Sequence, residues 1–232
     1  MFPFERPSNY SEMLNKIGLF TSIEAILLTI LVGYSVPNVN AALGYFQIPV
    51  KIYEVNIPIL YVVPGIAIAV VMRITRAHNL LSDVFRIRAR FDLFRILIPL
   101  ALAVGSHIKL DDLEKERKLA MARTFYPYAS FNEPAISKEL VLSSIDSWTW
   151  YWVLLELVFL LGLTSVTLIW FRAFESATYT LAGLSVGILI FQTAFSVCGR
   201  KAKDQISEIV SVPERVTKIQ ADFAAISRNN EP

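Results

Sequence analysis

Residues 148–170 read WTWYWVLLELVFLLGLTSVTLIW, and Glu156 is the only charge among them. The hydrocarbon core of a bilayer is about 30 Å thick and takes roughly 20 helical residues at about 1.5 Å each. This stretch meets that length. Trp148, Trp150, Tyr151 and Trp152 cluster at its entry, and Trp170, Phe171 and Phe174 mark its exit. Trp and Tyr favour the membrane interface because an apolar ring carries an N–H or O–H that needs water. The stretch reads as a transmembrane helix.

Three further blocks share the pattern. Ile17–Val36 stops at Pro37-Asn38 and holds Glu24 as its only charge. Val55–Met72 is uncharged, and Pro64-Gly65 predicts a kink of the kind membrane helices tolerate. Ala177–Cys198 is uncharged. A fifth run, Ile96–Ser106, is shorter and contains Pro99. Runs of about 10–14 residues are more often buried or interfacial than spanning, so it is read as a non-spanning segment.

The composition agrees with apolar blocks joined to a water-facing part. Hydrophobic residues make up 54% of the chain and charged residues 18%, against about 25% charged in an ordinary soluble domain. The net charge of +2 excludes the global basic field of a nucleic-acid binder. A single cysteine, Cys198, leaves no intramolecular disulfide framework. The start, Met1 to Pro7, lacks the basic and short apolar regions of a signal peptide, so the first block is expected to be retained.

Charge sets the expected orientation. The two loops between paired blocks carry only Lys51 and Arg172 out of 22 basic residues. Basic residues concentrate on the cytoplasmic side, so both termini are expected in the cytoplasm, in the cell (inner) membrane. The fold expected is an all-α membrane protein with four transmembrane helices in two helical hairpins. Its parts are a cytoplasmic N-terminus (1–16), a first transmembrane hairpin (17–72), a cytoplasmic insert (73–147), a second transmembrane hairpin (148–198) and a cytoplasmic tail (199–232). The insert and tail are expected to be mostly helical.

Within the insert, positions 80, 84, 87, 91, 94 and 98 form an apolar stripe at helical spacing. Phe85 to Leu93 also alternates with charged residues as a strand would; helix is preferred because the stripe runs on without a turn signal. Lys109–Arg123 reads as a solvated helix with pairs such as Glu114–Lys118. Residues 137–147 read as a short helix or linker. In the tail, Ile209, Val212, Val216, Ile219, Phe223 and Ile226 follow a heptad rhythm that Pro213 interrupts; a tail packed on the insert is preferred to a coiled coil.

Four groups of residues could carry function. Glu24 and Glu156 are carboxylates inside apolar blocks, where charge is costly and commonly marks an ion path. The alternative is that each only hydrogen-bonds within the bundle. Arg86, Arg88, Arg90 and Arg95, interleaved with Phe85, Phe91 and Phe94, suit anionic lipid or phosphate, because guanidinium forks match phosphate oxygens. The same residues are also what a cytoplasmic flank contains in any case. Gly183 and Gly187 make a GxxxG face for close helix packing, within the chain or against a second copy. His78 and His107 have no accompanying metal motif, and no cofactor or metal is expected.

The function expected is non-enzymatic: an oligomeric channel-like or membrane-perturbing element, gated by its cytoplasmic part and in contact with anionic lipids. One alternative is a membrane anchor or scaffold for a soluble cytoplasmic protein. Another is an interfacial lipid-modifying enzyme, for which only His78, His107, Asp83 and Asp92 are at hand.

Overall fold

The computed structural model describes residues 5–44, 49–52 and 55–228. The first helix, α1 (Tyr10–Ser35), is followed by α2 (Pro37–Gly44). An antiparallel hairpin comes next, β1 (Pro49–Ile52) with β2 (Val55–Pro58), in the register Pro49↔Pro58 and Ile52↔Val55. Then follow α3 (Ile59–Ile74), α4 (Ala77–Val84) and α5 (Ile87–Phe91). A π-helical segment, Asp92–Leu97, leads into α6 (Ile98–Ala103). The remaining helices are α7 (Leu110–Lys115), α8 (Arg117–Thr124), α9 (Lys138–Trp170), α10 (Phe174–Val210) and α11 (Pro213–Arg228). Apart from the short hairpin, the elements among the described residues are all helical.

Three helices among the described residues are long and apolar enough to cross a membrane: α1, α9 and α10. The second apolar block departs from expectation. Its first residues, Val55–Pro58, are a strand, and the helix begins only at Ile59. Val50, Ile52, Val55 and Ile57 are β-branched and suit a pleated hairpin, and Pro49 and Pro58 sit at its open end, where a missing N–H does least harm. Hydropathy could not separate this strand from the helix after it.

The chain forms two compact units. One comprises Ser11–Leu81 and Thr149–Ala194; the other comprises residues 5–10, Ser82–Trp148 and residues 195–228. Both α9 and α10 supply residues to each unit.

The first unit packs small residues at its helix crossings. Ala25, Ala69, Met72, Ala77 and Leu160 make one buried cluster, and Val36, Leu168 and Ala177 another. The closest approach is at Gly65, where an added Cβ would lie 2.6 Å from Ile26 Cα and 2.8 Å from Ile26 N. Gly65 therefore lets the α1 and α3 backbones touch. Large apolar side chains point outward from the same helices: Val70 and Val71 on α3, Leu163 and Val166 on α9, Val186, Leu189 and Ile190 on α10. On α9 and α10 such exposure is compatible with helices that cross a membrane.

The second unit has its own core. Phe91, Leu97, Leu100, Leu113, Met121, Ile209, Ile219, Phe223 and Ile226 are almost fully buried. Helix α11 packs on α7 and α8, so the tail lies against the insert. Pro213 is its first residue, where the missing N–H costs no helical bond. Ile96–Leu97, Leu100–Ala101 and Val104 belong to this core, which explains an apolar run too short to span.

The expected stripe is not the buried face. Leu80, Val84 and Phe94 are exposed, while Leu81, Phe91, Leu93, Ile96 and Leu97 are buried. Two breaks reset the helical phase. Arg86 turns left-handed at φ 52°, and the π-helical segment adds a residue to its turn. Pro99, just after that segment, has no N–H to give to the previous turn and its ring crowds it, a common cause of such widening. Lys109–Arg123 also differs from the solvated helix expected. It breaks at Glu116 into α7 and α8 and buries Leu113, Ala120 and Met121. Residues 138–147 are the start of α9, continuous with the apolar stretch that follows.

Candidate functional site

The first unit encloses a polar site around Glu156, which is 2% exposed. Thr21 and Glu24 lie one turn apart on α1. Thr21 is buried, and its Oγ1 hydrogen-bonds the Glu156 carboxylate at Oε2. The other oxygen, Oε1, accepts from the backbone N–H of His78 at 3.0 Å and lies 3.2 Å from His78 Nδ1. His78 is in the first turn of α4, where backbone N–H groups have no helical partner and the dipole favours a negative charge. Glu156 supplies that charge from α9, so both of its oxygens are engaged.

Two polar atoms of the site have no partner among the described residues: His78 Nε2 and Glu24 Oε2. The His78 ring is 5.9 Å from that of Trp152. The Glu24 and Glu156 carboxylates are near enough to interact electrostatically. Lys16 is buried too, with its ammonium 4.5 Å from the Trp150 ring centre.

A cavity of about 250 Å³ opens beside these groups, lined by Asn15, Gly18, Thr21, Arg73, Arg76, His78 and Glu156 among others. Arg73 donates to Asn15 Oδ1 at 3.0 Å across it. The volume accommodates several waters beside polar partners, the condition for a wet cavity. Chemically, the site is a carboxyl group facing two oriented donors and an imidazole, next to space for water or a small ion.

The sequence singled out Glu156 and Glu24 but not their partners. His78 is 78 residues from Glu156, and no local pattern joins them. The one available signal was a histidine a few residues beyond an apolar block.

The four arginines do not form one patch. Arg86 pairs with Glu114 at 2.6 Å, where Glu114–Lys118 was expected, and with Arg90 it lines a cleft of about 610 Å³ in the second unit. Arg88 reaches the Tyr126 hydroxyl at 3.4 Å. Arg95 packs along Gly199 and over the Phe195 ring. Of the interleaved aromatics, Phe85 and Phe94 are exposed, but Phe91 is core, edge-on to Trp148 at 4.4 Å. Asp92 pairs with Arg117, and burial holds its carboxyl above the ordinary 3.8 although Arg117 and Arg88 pull it down. His107 is exposed, and among the described residues no cluster of three His, Cys, Asp or Glu side chains could hold a metal.

Gly183 and Gly187 face α9 of the same chain. Added Cβ atoms would meet Leu161 at 3.9 Å and Val158 at 3.4 Å. The GxxxG face is occupied within the first unit.

A model of the YmfE protein family matches residues 9–222. The chain belongs to the YmfE protein family. The match takes in Thr21, Glu24, His78 and Glu156, and the whole of the charged cleft from Ser82 to Leu119. No curated protein and no solved structure matches the chain.

Proposed function

We infer that this YmfE family member is a four-span membrane protein that moves protons or small cations through an oligomeric, channel-like assembly. Glu156, held by Thr21 and His78, is its ion-handling group. The fourth span is α3. At about 1.5 Å per residue its 16 residues reach about 24 Å, short of a full bilayer core but within what local thinning accommodates. Its exposed Val63, Ile66, Val70 and Val71 suit lipid contact. The two interhelical loops, with Lys51 and Arg172 as their only basic residues, then face away from the cytoplasm, and both termini face it.

The observation that carries the reading is a carboxylate 2% exposed, with oriented donors, beside a polar cavity. Burying such a group is expensive, and a carboxyl kept inside an apolar span commonly marks function. With the GxxxG face taken up by α9, copies would associate through the exposed apolar face of α10 around Val186, Leu189 and Ile190. Because α9 and α10 contribute to both units, the second unit is suited to gate the first.

Reconstituted vesicles test this with a pH-sensitive dye inside and proton or potassium gradients applied. Wild type conducts, and Glu156→Gln, which keeps an oxygen for Thr21 and the His78 N–H, slows flux by about tenfold or more. Wild-type vesicles without flux, or flux indifferent to the substitution, refute it. A second reading, a membrane anchor for a soluble partner, is favoured by the independent core of the second unit. It expects a protein that co-purifies equally with wild type and Glu156→Gln.

A further inference from the structure

The charged cleft of the second unit is distinct from the Glu156 site. It lies between α4–α5 with the π-helical segment on one side and α7–α8 on the other. Its volume of about 610 Å³ is within the range of small-molecule sites, about 300–1,000 Å³. Arg86, Arg90, Lys115, Arg117 and Lys118 line it. Asp83, Glu114 and Glu116 oppose them, so five cations less three carboxylates leaves an excess of two positive charges.

Pairing brings that excess down to one, because Arg117 is neutralised from outside the lining, but it leaves three cations without an ion pair. Arg117 is held by Asp92, which is buried and does not line the cleft. Glu114 is occupied by Arg86, but that pair is exposed, with 64% and 50% of the two side chains accessible. Exposed pairs are worth little and yield to a better anion. Arg90, Lys115 and Lys118 have no ion-pair partner among the described residues. Beside these cations, Phe94 is 53% exposed and adjoins Leu93.

Arg86 is unusual in its backbone. It closes α4 at φ 52° and ψ 30°, a position where glycine is the unstrained choice. Arg76 and Arg172 close helices with similar positive φ. At 86 the cost carries a guanidinium into the cleft, and strain retained at a cleft is a recognised mark of use.

The geometry points to this cleft as a binding site for a phosphate ester: the phosphate between Arg86 and Arg90, with Lys115 or Lys118 adding charge, and an apolar part of the ligand on Phe94. Guanidinium forks bind phosphate oxygens bidentately, and the aromatic face accounts for an ester in preference to the bare ion. The phosphate could belong to a soluble metabolite or to a lipid headgroup; the shared chemistry is the phosphate.

The test uses the full chain in neutral-lipid nanodiscs. One arm titrates phenyl phosphate, a soluble phosphate ester; the other replaces part of the lipid with phosphatidic acid. Each is controlled with sodium chloride at matched ionic strength. Binding is expected in at least one arm and falls about tenfold or more in Arg90→Gln and in Arg86→Gly. Without ligand, Arg86→Gly melts no lower than wild type, because glycine adopts the left-handed turn freely. Should that variant fold poorly, Arg90→Gln decides alone. Binding only to phenyl phosphate identifies a soluble phosphate ester; binding only with phosphatidic acid identifies a headgroup; either supports the site. Binding no stronger than the salt control in both arms, or unchanged affinity in Arg90→Gln, overturns it.

Discussion

Replacing Gly65 with alanine probes the tightest contact between α1 and α3. The new methyl would sit 2.6 Å from Ile26 Cα, 2.8 Å from Ile26 N and 2.7 Å from Thr29 Oγ1. Ordinary contact begins near 3.4 Å, so the helices must part by at least 3.4 − 2.6 = 0.8 Å. Two of the three obstructing atoms are backbone and cannot rotate aside. Parting the helices also loosens Ala25 against Ala69 and Met72. If α1 and α3 cross the membrane as proposed, close packing rather than the hydrophobic effect holds them together, and the loss is felt directly. Overpacking of this kind costs about 1–3 kcal/mol. Gly183→Ala is the internal control. Its methyl would meet only Leu161 Cδ2 at 3.9 Å, and alanine favours helix over glycine, so it is neutral or slightly stabilising. Reversible unfolding in bicelles by dodecyl sulfate, followed by circular dichroism, measures both. Gly65→Ala within about 0.5 kcal/mol of wild type, or Gly183→Ala as damaging as Gly65→Ala, refutes the reasoning.

Two predictions concern the second unit. Tyr128 buries a hydroxyl that has no partner among the described residues, while Arg215 lies 5.9 Å from its ring centre. Tyr128→Phe keeps the ring and removes the unpaired group, so it should stabilise by about 1 kcal/mol; a melt showing destabilisation contradicts this. Asp92 has a folded pKa raised above its ordinary 3.8 by burial. The fold therefore favours the protonated acid. That contribution to stability is full below pH 3.8 and is lost as pH rises through the folded value. Relative to Asp92→Asn, the wild type should gain stability as a series of melts descends from about pH 7 to about pH 4. A difference that stays constant across the series contradicts it.

Different levels of this fold were legible to different degrees in the chain. Long apolar runs revealed α1, α9 and α10, because length and lack of charge are local properties. The start of the second block was misread because Val55, Ile57 and Ile59 are equally apolar as strand or helix; the hairpin depends on pairing with Val50 and Ile52. The stripe from residue 80 to 98 failed because periodicity assumes an unbroken helix. An arginine in a glycine-type conformation and a π-helical turn before Pro99 both shift the phase, and neither announces itself by composition. Gly65 looked like half of a kink and is a contact between backbones. Gly183–Gly187 read as a small face from the sequence, and only the fold shows what stands beside it, Val158 and Leu161. At the site, the buried carboxylate was visible as an anomaly. Its donors were not, since Thr21, His78 and Glu156 come from three helices far apart in the chain.

The central claim, that Glu156 handles an ion within a site made by Thr21 and His78, is tested most directly by infrared difference spectroscopy. The full chain in bilayers is measured as the bath pH is stepped, for wild type and Glu156→Gln. The account predicts a carboxyl band in the wild type that changes with each step, is absent in Glu156→Gln, and shifts in frequency in Thr21→Val as its hydrogen bond is lost. A wild-type difference spectrum identical to that of Glu156→Gln, both across the pH steps and when potassium is stepped in their place, would mean that Glu156 handles neither proton nor cation, and would contradict the account.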